Sequence, residues 1–135
     1  MNEYTRNQKG SPARDEFKRR HKDLSNRFYA CDLDFVFVQK TPLPDIVAAI
    51  DYKAANDGIT FSEVIAYNAL TRRGIPVFVV QGDPVLGRFA VYQYVGGHHG
   101  KPTYRINHVV NTADWAAFAR WESSLRDEYE TRYKP

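Results

Sequence analysis

The residues best suited to chemistry in this sequence are four charged side chains in two short segments. Asp32 and Asp34 lie in the run DLDFVFV, and Asp51 and Lys53 end the run IVAAIDYK. Side chains two apart on a strand project from one face, so the members of each pair point together. If the two segments fold back on each other about a turn centred near residues 42 and 43, Asp34 stands opposite Asp51 and Asp32 opposite Lys53. Opposed Cβ atoms are about 4.5–5.5 Å apart, and two carboxylates so placed repel unless a cation lies between them. A hard dication with oxygen ligands meets that requirement. Mg²⁺ fits best, because it keeps several waters and takes one or two carboxylates together with a substrate phosphate.

The charge distribution agrees with an anionic partner. Residues 1–30 carry eight Lys/Arg against four Asp/Glu, and residues 71–110 carry five against Asp83 alone. Residues 31–60 reverse the balance, with five aspartates against Lys40 and Lys53. A basic frame around an acidic centre suits a polyanion whose phosphates are gripped by cations while carboxylates hold a metal. Arg14, Lys18, Arg19, Arg20, His21 and Lys22 form the densest basic stretch, which reads either as a set of phosphate contacts or as a solvated helix face. His98 and His99 sit side by side in a glycine-rich loop without the i, i+4 spacing of a metal site, so no metal is expected there. Phosphate-binding glycine loops, nucleophile elbows and zinc-cysteine frameworks are absent from the sequence.

These groups need elements to position them. The 135 residues, 43% apolar and 14% aromatic, suffice for one core, so residues 11–135 are expected to form a single domain behind a flexible basic arm at 1–10. Nothing approaches the ~20 apolar residues that span a bilayer, and MNEYTRNQKG lacks the apolar core of a secretory signal. Cys31, the only cysteine, cannot form an internal disulfide and reads as a small buried thiol. Together these point to a cytoplasmic, reducing setting with no membrane partner.

Ser11-Pro12 marks a helix start, with the helix running to about Leu24. Phe28 to Gln39 reads as one strand or two short ones, and the prolines of 41–45 make a turn. Residues 46–53 read as a central strand buried on both faces, with Val47 and Ala49 sharing the face of Asp51 and Lys53. Thr60 and Glu63 form a capping box for a helix through Arg73. Strands are expected at 77–80, 88–95 and 103–110. Asn111 or Thr112 then caps a last helix to about Tyr129, whose buried stripe is Trp115, Phe118, Leu125 and Tyr129. The order predicts an α/β (α+β) fold, a mixed central sheet flanked by helices.

With these elements in place, the chain resembles the PD-(D/E)xK, or restriction-endonuclease-like, nuclease superfamily over roughly residues 12–81. In that superfamily an aspartate on one strand is followed, across a turn, by an acidic-x-Lys motif ending the next, as in Asp34 and Asp51-Tyr52-Lys53. The proline-aspartate dipeptide of the family is absent here, Cys31 preceding Asp32 and Leu33 preceding Asp34, so either aspartate is open as the ligand. The resemblance implies a restriction-endonuclease-like core and a Mg²⁺- or Mn²⁺-dependent hydrolase that cuts nucleic-acid phosphodiesters, with DNA favoured. It implies a metal held by Asp34, Asp51 and the Tyr52 carbonyl, with Asp32 the alternative aspartate and Glu16 from the first helix a further ligand. Lys53 either activates the attacking water or stabilises charge electrostatically. Glu63 and Tyr67 resemble the polar residue and tyrosine that the family carries on the next helix, the tyrosine facing nucleic acid. Glu63 is equally a capping residue, Glu16 a complement to the helix dipole, and Tyr67 a core ring. A homodimer would supply the two sites that cutting both strands needs. The alternative is a nuclease-like module that binds nucleic acid or protein without catalysis.

Overall fold

The computed structural model describes residues 11–24, 31, 33–41, 43–54, 56–98, 103–112 and 114–132. The basic arm at 1–10 and most of the first half of the expected Phe28–Gln39 strand lie outside the described residues. The chain divides into two compact units, Met1–Asp32 and Leu33–Pro135, where the sequence predicts one domain over 11–135.

The first unit contains α1, Pro12–Leu24. Proline at its first position needs no hydrogen bond from its own nitrogen, and the Ser11 hydroxyl accepts from the Arg14 amide at 3.1 Å.

The second unit is a mixed five-stranded sheet with a helix on each face. In chain order its elements are β1 Phe35–Gln39, β2 Asp45–Lys53, α2 Phe61–Arg72, β3 Val77–Asp83, β4 Arg88–His98, β5 Thr103–Thr112 and α3 Trp115–Arg132. The strands lie in sequence order, and every neighbouring pair is antiparallel except β2 and β3, which are parallel and joined through α2. Strict alternation along β3 shows how the two cores arise. Val77 and Val79 face α2 with Ala49, Tyr67 and Tyr94, whereas Phe78 joins Ile50, Val91, Leu125 and Tyr129 on the α3 side.

Three departures from the sequence reading have physical causes. Strand β1 is only Phe35–Gln39, because Leu33 and Asp34 have left the ladder. Val47 packs on the α3 side rather than beneath Asp51. Phe37 pairs with Ala48 and Val38 with Ile46, so Val47 is the extra residue of a β-bulge and its side chain turns to the face of Ala48. The last helix starts later than expected. Pairing with β4 carries β5 through Thr112, and Asp114 accepts from the Ala117 amide at 2.8 Å to cap the helix instead. Trp115, expected in the buried stripe, is 54% exposed, while Leu125 and Tyr129 are buried.

The capping box of α2 forms as expected. Thr60 Oγ1 accepts from the Glu63 amide at 3.3 Å, and Glu63 Oε1 accepts from the Thr60 amide at 2.9 Å. Among the described residues no helix is long and apolar enough to cross a membrane. Thr60→Ala removes one half of the box and is expected to cost about 1 kcal/mol of stability, read as a lower urea midpoint at unchanged slope.

Candidate active site

After Asp45, strand β2 stays apolar until its last three residues, yet Asp51 is 1% and Lys53 9% exposed. Charged side chains remain so deeply placed only when their charge is met by hydrogen bonds or an opposite charge. The sheet register supplies the first partner. The ladder ends with Phe35 opposite Ile50, so the next residue back, Asp34, stands beside Asp51, and its amide donates to Asp51 Oδ1 at 2.8 Å.

The return contact follows from strand alternation. Ala49 N–H donates to the Pro76 carbonyl on the β3 side, so the amide of Tyr52, three residues on, is directed toward β1. No β1 carbonyl remains there to receive it, and Asp34 Oδ2 accepts it at 2.8 Å. Two acids are thus clasped through each other's strand.

Helix α2 provides the remaining contacts. Glu63 and Tyr67 are four residues apart and lie on one helix face. The Tyr67 hydroxyl donates to Asp51 Oδ2. Lys53 Nζ donates to both Glu63 oxygens, at 2.6 and 2.5 Å, and Glu63 is itself 8% exposed. The capping and site readings of Glu63 therefore hold together, since one carboxylate closes the helix end and holds the lysine.

Burial pushes the Asp51 carboxyl above the ordinary aspartate range, and the negative charges of Asp34 and Glu63 push the same way. Hydrogen bonds from Tyr67 and from the Asp34 backbone oppose that shift in part. Asp51 thus lies in the field of two further carboxylates, those of Asp34 and Glu63, while the Lys53 ammonium is held by Glu63. A dication would offset this excess charge, so the donor set fits Mg²⁺ or Mn²⁺ in charge and hardness. Among the described residues no group of three or more His, Cys, Asp or Glu side chains is placed to hold a metal. An ion here would therefore rely on two carboxylates, backbone oxygen and water.

The other predicted residues have separate placements. Asp32 lies outside the described residues. Glu16 belongs to the first unit, where Arg19 and Arg20 bind its carboxylate and hold its pKa down. Arg14, Lys18, Arg19 and His21 are all on α1, and the side chain of His21 is outside the described residues. Tyr67, expected to face nucleic acid, is 0% exposed because its ring packs at 5.2 Å against Tyr94 while its hydroxyl reaches inward to Asp51.

Gln81 is a member of this neighbourhood that the sequence reading missed. It pairs with Lys53 across β2 and β3, and its side-chain amide donates to the carbonyls of Ala54 and Asp57 at 3.2 and 3.0 Å, holding the segment after β2 in place. The available signal was a polar residue ending the apolar run VFVV, just as Asp51 ends IVAAI. Both strands deliver these groups at their carboxyl ends, where open α/β sheets place their ligands. No family model, curated protein or solved structure matches the chain.

Two outcomes test the electrostatics. Asp51 holds its proton more tightly folded than unfolded, so its contribution to stability is fullest at acid pH and is lost as pH rises from the ordinary aspartate range through the raised value. Asp51→Asn is therefore expected to raise Tm at pH 7 in chelator, and the gain should vanish as the pH falls toward about 4. Lys53→Met strands a buried Glu63 and should cost about 3–5 kcal/mol in urea denaturation, most of it recovered in Lys53→Met/Glu63→Gln.

Proposed function

We propose that this chain is a metal-dependent nuclease that hydrolyses phosphodiester bonds in nucleic acid, with DNA the favoured substrate, on a restriction-endonuclease-like core. One observation carries the reading. Asp34 and Asp51 are locked against each other at the end of β2, with Lys53 two residues further along the same strand. The basic stretch of Arg14, Lys18, Arg19 and His21 is the proposed source of phosphate contacts in the first unit. We place the protein in the cytoplasm, where a cysteine outside any disulfide, such as Cys31, stays reduced.

In this reading Asp34, Asp51 and the Tyr52 carbonyl hold Mg²⁺ or Mn²⁺. When bound, such an ion polarises a phosphoryl oxygen and makes a water more acidic. The chain's own residues do the positioning. Each carboxylate oxygen can accept more than one bond, so the donors from Tyr52, Asp34 and Tyr67 orient the two acids and still leave lone pairs for a cation. Lys53 serves as a fixed cation for the negative charge that builds on the phosphorane-like transition state. A base role would require it to release a proton while both oxygens of Glu63 hold its ammonium. Glu63 and Tyr67 are positioning residues, acting through Lys53 and Asp51.

A second reading, a nuclease-like module that binds nucleic acid or protein without cutting, is favoured by the closure of the site. Asp51 and Lys53 are almost fully covered, and Glu63 takes the lysine with both oxygens. Labelled duplex, single-stranded and branched DNA, and RNA, incubated with Mg²⁺, Mn²⁺ or chelator, separate the two. Metal-dependent cleavage is expected, with a loss of at least about 100-fold in Asp51→Asn, a variant expected to fold at least as well as the parent. Binding without cleavage in every metal would sustain the second reading and remove the first.

A further inference from the structure

Strand β1 is an edge of the sheet, and among the described residues nothing pairs with its outer side. Edge strands are commonly blunted by charge, proline or a bulge. The segment FVFVQ has none of these on its own strand: Phe35 is 59%, Val36 43% and Val38 73% exposed. On the α2 face Val36 and Val38 are joined by Ile46, which pairs with Val38 and is 41% exposed, in a patch that α2 does not reach because it packs over β3 and β4.

The direction of the free backbone groups can be read from the ladder. Ala49 donates toward β3, so its β1 partner Val36 directs its N–H and C=O away from β2, and alternation gives Val38 the same orientation. Two-fold pairing of β1 with a second β1, centred on Phe37, sets Val36 opposite Val38 of the other copy and uses both outward residues. The same register sets Asp34 opposite Lys40 of the other copy, joining unlike charges at both ends. Of the symmetric registers it gives the longest overlap, and it is self-complementary in charge.

We infer that the β1 edge is a homodimer interface, in which two copies join antiparallel to form one continuous sheet. Lys40 of each copy then brings an ammonium beside Asp34 of the other copy, the neighbour of Asp51. Both sites fall on the same sheet face. Asp34 is three residues from the two-fold at about 3.3 Å per residue, so the sites are roughly 20 Å apart. An inverted pair on one face is the arrangement that cuts both antiparallel strands of a duplex. That last consequence rests on the nuclease reading, whereas the interface does not.

Sedimentation equilibrium of the full chain tests the interface. A strand this short predicts a concentration-dependent dimer with Kd on the order of micromolar. Val38→Lys, at an exposed position, should weaken it roughly tenfold or more, because it places like charges at the joint. In a Cys31→Ser background, Phe37→Cys should cross-link to its own copy under mild oxidant, whereas Val38→Cys, offset by two residues, should not. A wild type that stays monomeric at hundreds of micromolar, or a dimer unmoved by Val38→Lys, overturns the inference. Protected Val36 and Val38 amides in such a monomer would assign the edge to another segment of the same chain. Activity is scored separately. Double-strand cuts that become nicks in Val38→Lys support both readings, a dimer without cleavage overturns only the nuclease, and duplex cleavage by a monomer overturns only the interface.

Discussion

A carboxylate at the end of an apolar strand is stable only if donors from elsewhere in the fold reach it, and Asp51 draws them from two directions. One is the backbone of Asp34, which is available because β1 begins one residue later, at Phe35. The other is the hydroxyl of Tyr67, which is available because the Thr60 cap fixes where α2 begins. Sheet register and helix placement thus converge on a single side chain. The same helix start sets Glu63 against Lys53, so both buried charges of β2 depend on the first two turns of α2.

This arrangement costs the fold stability. The raised pKa of Asp51 records that the site is uncomfortable with its own charge, and the neighbouring acids add to the discomfort rather than relieve it. Structural acids tend to be fully met by cations, as Glu16 is by two arginines on α1. An unbalanced buried acid is the pattern associated with binding and catalysis.

Local signals were legible in the sequence and long-range ones were not. The Thr60–Glu63 capping box could be read because all its partners lie within four residues. The pairing of Asp34 with Asp51 was expected from a turn centre, and the register does bring them together, although through a bulge that no pattern announced. The late start of α3 could not be read, because it is pairing with β4 that keeps Asn111 and Thr112 in a strand despite their preference for helix caps. The double contact between Lys53 and Glu63 was equally hidden, since it depends on how α2 lies over β3 and β4. Gln81 went unnoticed because nothing in its own segment says that it will end up beside Lys53.

The bulge at Val47 has one more implication. Ile46 and Ala48 already face consecutive residues of β1, so the chain accommodates an additional amino acid without disturbing the alignment on either side of it. The number of residues separating the two aspartates is therefore elastic, whereas their juxtaposition in space is not. A chain lacking this one residue would keep the same juxtaposition, so it is the partners across the hairpin, rather than a fixed count along it, that define the arrangement.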